Sequence, residues 1–421
     1  MAIKQASDAM TTTRRTFLQT SAAAACLPPV FAADDVTALD ERLRQIQADP
    51  VLKASFGSQP VLIESMELLR VGGEFLVRVR SRGGAESVVV ANSSRLRDTY
   101  PIFLNRVAPF FSGKDARNIE PLLRELYRAG SNYKWQGLAF WVCVAAAEMA
   151  ILDLLGQVSG KSIGEMFGGV VRREIAVYRA SGHRGNSPEE EVEYLRRIAG
   201  EIGAKAVKLR LGGRMSNNRD SRPGRTEALI PMVREAFGKG FTLYADSNSS
   251  YDVENSIRIG RLMEEHEYAF FEEPCPFDHL WETKRIADAL TIPIAGGEQE
   301  FSLRRFRWTI ENRGVDIVQP DLHYFGGFIR CTKVARMAEA AGMDCTVHMS
   351  GAGLGYLYVL HFASYTPNAG EYQEFKGTSA IPIECATSDL KCTNGTLTVP
   401  TGSGFGVTID PGFVAKATVV G

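Results

Sequence analysis

The sequence predicts an α/β protein in which eight parallel strands close into a (β/α) barrel beside a smaller α+β unit. Strand-like and helix-like patterns alternate from residue 173 to 375, which favours parallel strands joined by helices. The polar residues that end those strands stand 23 to 27 residues apart from Asp246 through Glu272, Glu298, Asp321 and His348 to Glu374, about one βα unit per step. Residues 60–92 have another texture, period-two apolar runs broken by turn glycines, as in antiparallel hairpins.

The first element stands apart from the fold. "TTTRRTFLQTSAAAACLPPVFAADD" pairs Arg14 with Arg15, continues with Phe17, Leu18 and small apolar residues, and ends on Val30-Phe31-Ala32, an A-x-A-like site. This predicts a twin-arginine export signal over residues 1–33 and a periplasmic destination for a protein that folds first. A lipoprotein site at Cys26 is disfavoured, because Ala replaces the preferred Leu upstream. Beyond the signal no apolar run approaches the ~20 residues of a membrane span. A net charge of −1 argues against bulk binding to nucleic acid or anionic membrane. The seven cysteines form no CxxC pair, which disfavours a zinc ribbon or disulfide scaffold.

The α+β unit follows. "VLIESMELLRV", "EFLVRVRS" and "ESVVVAN" read as hairpin strands, and helical patterns cover roughly 94–111, 117–130 and 138–158. The last is apolar on nearly every side, as expected of a helix between two layers. The barrel strands are then "EIAVYRAS", "AKAVKLRL", "FTLYADSN", "YAFFEEP", "IPIAGGE", "VDIVQPD", "MDCTVHM" and "AGEYQEF". Ser187-Pro188-Glu189 opens the first intervening helix.

Strand ends at the C-terminal face are where barrel enzymes build their sites. Asp246, Glu272 and Glu298 on consecutive strands would aim three carboxylates at one spot, where mutual repulsion would force a proton onto one of them. A hard divalent cation removes that conflict, and an oxygen-only donor set suits magnesium. Pairing with Lys208 or Arg210 is the alternative, and the two can coexist. Glu273, next along the strand, should face the opposite way.

With these residues in view the chain resembles the mandelate racemase-like branch of the enolase superfamily from about residue 60 to 421. "AEMAILDLLGQVSGKSIGEMFGG", "KLR", "DSN", "FFEEP", "GGEQ", "QPD" and "TVH" match its motifs in order and spacing. "NGTLTVPTGSGFGVTID" resembles its C-terminal return onto the capping domain. The resemblance implies a modified (β/α) TIM barrel over residues 166–376 and an N-terminal extension with an α+β capping domain over 34–165. A C-terminal return over 377–421 would complete the cap. It also implies a homo-oligomer and one Mg2+ per active site, held by Asp246, Glu272 and Glu298. The reaction implied is removal of the proton beside a carboxylate through an enediolate.

In such enzymes an Asp–His dyad on successive strand ends serves as the base, which maps onto Asp321 and His348. An aspartate fixes the imidazole tautomer and supports proton uptake. His323 is a rival, two residues past Asp321. Glu374 matches the residue that hydrogen-bonds the substrate carboxylate opposite the metal, with Glu371 a weaker competitor. The second strand departs from the family's Lys-x-Lys. It reads Lys208-Leu209-Arg210, so a guanidinium, a poor base, occupies the opposite-face base position. Lys208 is expected to touch the substrate carboxylate. Asn248, His183 and Arg214, the last in the arginine-rich loop after the second strand, are candidate substrate contacts.

The expected activity is dehydration of a sugar acid to a 2-keto-3-deoxy acid, with a small carboxylate as the partner. Its rivals are a racemase or epimerase on the same fold, and a periplasmic sugar-acid binding protein without catalysis.

Overall fold

The computed structural model describes residues 33–421 apart from 352 and 378. Residues 1–32, which carry most of the predicted export signal, lie outside the described residues.

The capping region is built on an antiparallel meander of β1 (Ile63–Val71), β2 (Glu74–Ser81) and β3 (Glu86–Val90). Gly72 at φ 59° makes the two-residue turn between β1 and β2. The helix Leu138–Ser159 packs against β2 and β3, is buried along most of its length, and stops at Gly160 in the left-handed conformation.

This helix corrects one expectation. By length and composition it is apolar enough to cross a membrane, yet 89% of its most apolar window is buried inside the protein. It is a core helix. One continuous core runs from Phe103, Phe140 and Leu152 of the cap to Phe328 and Phe362 of the barrel.

The barrel strands are β4 (Glu174–Ala180), β5 (Ala206–Arg210), β6 (Thr242–Asp246), β7 (Phe270–Glu272), β8 (Ile294–Gly296), β9 (Ile317–Val318), β10 (Asp344–Cys345) and β11 (Gln373–Glu374). They are parallel, in the order β10-β9-β8-β7-β6-β5-β4-β11. Each of the eight predicted runs contains one strand. Arg210 pairs in register with Asp246, and Asp246 with Glu272, so these strand ends finish level. A parallel bridge likewise sets Asp321 beside His348.

After the barrel come β12 (Ile383–Glu384), β13 (Thr396–Thr398), β14 (Thr408–Ile409) and β15 (Thr418–Val419). Within the segment expected to return to the cap, β13 lies antiparallel to β4 of the barrel, and β14 pairs β12. Among the described residues of this segment, β15 is the strand that joins the capping sheet, pairing β1. The seam between helix Leu138–Ser159 and the rest is tight. A Cβ on Gly156 would stand 2.3 Å from the Gly404 nitrogen.

Two carboxylates of the same helix reach across that seam. Glu148 accepts the amides of Phe328 (2.8 Å) and Ile329 (2.7 Å), the first turn of barrel helix Phe328–Ala340. Asp153 accepts the Phe405 amide at 2.9 Å and the Ser87 hydroxyl at 2.8 Å.

Candidate active site

The level ends of β5 to β8 gather the predicted triad. Asp246, Glu272 and Glu298 are buried and offer ligand oxygens that all lie within 4.8 Å of one another. Each also meets a cationic or ionisable side chain. Arg210 pairs with Asp246, Lys208 Nζ lies 2.7 Å from Glu272 Oε2, and His348 Nε2 lies 3.2 Å from Glu298 Oε2. Both sequence expectations therefore hold together, a carboxylate cluster and its pairing with β5. The second oxygen of Glu272, Oε1, is buried without a hydrogen-bond partner. An orphaned buried acceptor among three convergent carboxylates, with no sulfur or imidazole in the set, fits a hard divalent cation.

Glu273 departs from the period-two expectation. β7 ends at Glu272, and Glu273 adopts a left-handed backbone at φ 42°. Its side chain is consequently buried beside the triad, 3.4 Å from Asn248 Nδ2, rather than facing away. Burial first, then the charges of Glu298 and Glu272, push its carboxyl well above the usual range.

Lys208 is enclosed between Glu272 and Glu374, the latter at 3.5 Å, with its ammonium over the Tyr178 ring. Burial works against its charge, but the two carboxylates outweigh it and hold Lys208 protonated. Arg210 is pinned as well, since its Nε donates to the Ser181 carbonyl at 2.9 Å. A guanidinium so engaged is not a free base.

The dyad is assembled. His348 Nδ1 lies 2.6 Å from Asp321 Oδ2, and its Nε2 points to Glu298 and, at 3.8 Å, to Glu374. Burial opposes charge on the imidazole, yet Glu298 and Asp321 raise its pKa overall. His323 sits in the turn after β9, edge-on to Tyr358. Burial lowers it to about 4 against the pull of Asp321, so this rival stays neutral.

Glu374 lies in the same pocket, with Lys376 Nζ at 3.2 Å. Burial opposes its ionisation, but Lys208, Lys376 and His348 hold it far below the ordinary carboxylate range. An ionised Glu374 accepts hydrogen bonds and cannot donate one. Its competitor Glu371 is exposed.

The expected substrate contacts fare unequally. Asn248 is beside the triad, donating to Asp246 through its backbone (2.6 Å) and its amide (3.0 Å). Its Oδ1 accepts from Arg184 and, at 3.4 Å, from Arg210. His183 is exposed and turns its ring edge-on to Tyr194 of the outer helix Pro188–Ile202, because the loop after β4 presents the next residue inward instead. That residue, Arg184, was not expected from the sequence. Burial, then Arg210 and Arg214, lower it to about 9. Arg214 itself is exposed, close enough for its charge to act on Arg184. Lys376, two residues beyond β11, was likewise missed, although its spacing from Glu374 puts both on one face.

A family model described as Enolase C-terminal domain-like matches residues 190–413. The arabinonate dehydratase of Saccharolobus solfataricus is 27% identical over 333 residues, which span 78% of this chain and 85% of that protein. The D-galactonate dehydratase of Pectobacterium atrosepticum is 27% identical over 320 residues, 74% of this chain and 82% of that one. A solved structure from Roseobacter denitrificans superposes with a TM-score of 0.79 at 32% identity, covering 85% of this chain and 98% of that one. The mandelate racemase/muconate lactonizing protein of Paracoccus denitrificans, solved with magnesium, has a TM-score of 0.74 at 24% identity over 86% of this chain and 99% of that one.

Proposed function

The chain belongs to the enolase superfamily, and from that premise we propose that it dehydrates a sugar acid to a 2-keto-3-deoxy acid. One observation carries the reading: a single imidazole, fixed by Asp321, faces the carboxylate triad, while the opposite-face position holds a guanidinium already engaged by Asp246 and Ser181. One base suffices for elimination, whereas racemisation needs a second on the other face. The relatives named for arabinonate and D-galactonate dehydration support a sugar acid as the substrate class.

Asp246, Glu272 and Glu298 would hold one magnesium ion, which when bound supplies positive charge against the substrate carboxylate. With the Nδ1 proton shared with Asp321, the lone pair of His348 Nε2 takes the α-proton. The C–H electron pair moves into the carboxylate as an enediolate, and Lys208 adds a fixed positive charge nearby. Collapse of the enediolate expels the β-hydroxyl, which leaves as water with the proton held on His348. The resulting enol tautomerises to the 2-keto acid.

The purified protein should be incubated with mono- and diacid sugars in heavy water, with magnesium and with chelator. A 2-keto product that requires magnesium, without α-epimer, is the expected result. An α-epimer accumulating at the rate of turnover, and silenced by Arg210→Ala, would establish the racemase reading. Tight binding without any conversion would establish the binding-protein reading.

Export to the periplasm is part of the proposal, on the strength of Arg14, Arg15 and the Val30-Phe31-Ala32 site. Arg14→Lys with Arg15→Lys should trap folded protein in the cytoplasm. Unchanged periplasmic delivery on fractionation would refute it.

A further inference from the structure

We infer that Asn92, a residue of the capping region, is a positioning residue for the Asp321–His348 dyad. The inference rests on the reading of His348 as the base. It assigns the orientation of that base in part to the cap.

Asp321 is wholly buried and is surrounded by donors. Its Oδ1 accepts the amides of His323 and Tyr324, each at 2.7 Å, and its Oδ2 accepts the Ser350 amide at 2.6 Å beside His348 Nδ1. The Ser350 hydroxyl adds a contact to Oδ1 at 3.3 Å. A hydroxyl has one proton to give, and the direction in which it gives it is set by its other neighbours. These are the Asn92 side chain, with Nδ2 2.7 Å from Ser350 Oγ, and the Tyr324 hydroxyl.

The Asn92 amide is not free to turn over. Its Oδ1 caps the helix Ser93–Ile102, accepting the Arg95 amide at 3.2 Å and the Ser94 hydroxyl at 2.9 Å. Only the NH2 end remains for Ser350. The Tyr324 hydroxyl, whose oxygen accepts from Arg95, has its own proton for Oγ as well, and with both donating into Oγ the serine proton is left for Asp321. The polarity therefore runs from Asn92 through Ser350 to Asp321 and His348. A second tie starts one turn later, where Arg95 Nε donates to the Tyr324 hydroxyl at 2.8 Å. Both ties arise in the first turn of one cap helix and end on the residues that hold Asp321. Asn92 also lines a cavity of 290 Å³ between cap and barrel, together with Arg97, His323 and Ser350. Seating of the cap and orientation of the base thus belong to one hydrogen-bond network.

Asn92→Ser separates this role from the cap, because serine caps a helix about as well as asparagine but has no amide donor and adds no charge. On a sugar acid that the wild type converts, kcat is expected to fall about 10-fold to 100-fold as the base is misplaced, with KM nearly unchanged. The melting temperature should hold. The Nδ1 proton resonance of His348, read in histidine-labelled protein, should move. In a Ser350→Ala background the same substitution should add almost nothing, since the relay is already cut. Unchanged kcat together with an unmoved resonance overturns the inference, as does a loss confined to KM or an additive effect in the double variant. A wild type that converts no sugar acid would overturn the proposed function instead, and the resonance would still decide the role of Asn92.

Discussion

Buried carboxylates line two regions of this molecule, and the two regions satisfy them differently. Along the cap–barrel seam, backbone amides do most of the work. Glu120 accepts the amides of Val51 and Leu52, Glu148 those of Phe328 and Ile329, and Asp153 that of Phe405 with the Ser87 hydroxyl. At the barrel mouth the triad adds cationic side-chain partners to the one Asn248 backbone amide that Asp246 accepts. Lys208, Arg210 and His348 face Glu272, Asp246 and Glu298, and an oxygen of Glu272 is left without a donor. A backbone amide is fixed by the fold and cannot be displaced by a ligand, so it holds the carboxylate it satisfies in place, along the seam and at Asp321 alike. A side chain can swing aside or share its carboxylate, so the mouth keeps coordination in reserve.

The sharpest way to test that contrast is to remove the base. His348→Asn should lower both dehydration and α-hydrogen exchange by about 10²–10⁴-fold, the usual weight of a general base. Folding should be little affected, and a variant as active as the wild type would break the assignment.

Paired glutamine substitutions test the two regions directly. Glu272→Gln should cost magnesium affinity at least about 100-fold in calorimetry, beyond what loss of a supporting group costs, and leave the melting temperature level or higher. Glu273→Gln should keep most of the metal affinity. Glu148→Gln should do the reverse of Glu272→Gln: a stability loss of roughly 1–3 kcal/mol, from weakening bonds to two buried amides, with magnesium binding retained. If both substitutions damaged stability alike, the distinction between the regions would fail.

The last expected effect is a slope, with no loss at neutral pH. His361 is buried with its Nε2 2.9 Å from the Phe405 carbonyl, and burial lowers it to about 4 from the ordinary 6.5. The unfolded chain therefore binds a proton between those values that the folded chain refuses. Stability should fall as pH drops from about 6.5 toward 4, and be unaffected by this group above that window. His361→Gln should flatten that decline by one proton in urea titrations at a series of pH values. An unchanged slope would show that His361 is protonated in the fold.

The repeat in the sequence was legible because each βα unit occupies a nearly constant length of chain, so polar strand ends recur in phase. The triad and dyad residues follow from that phase, and the structure brings them together. Side chains placed by loops did not follow. Period-two reasoning stops where β7 stops, so it misdirected Glu273, whose left-handed backbone no local pattern announced. The turn after β4 decides between His183 and Arg184, and place at the strand's end pointed to the histidine. Asn92 drew no notice in the sequence, because its role depends on Ser350, 258 residues away. The exchange of Lys for Arg at residue 210 was visible, but not that Asp246 and Ser181 would hold it.

The apolar helix Leu138–Ser159 has a consequence for the life of the chain before it folds. Threaded across a membrane unfolded, it would present lipid with 22 residues suited to stay there. Once folded, it is sealed between the capping sheet and the barrel, with Glu148 and Asp153 committed to amides on other segments. A passage that moves only finished protein never exposes that segment to the bilayer. The same residues that make the core would make an unfolded precursor a membrane-arrest hazard.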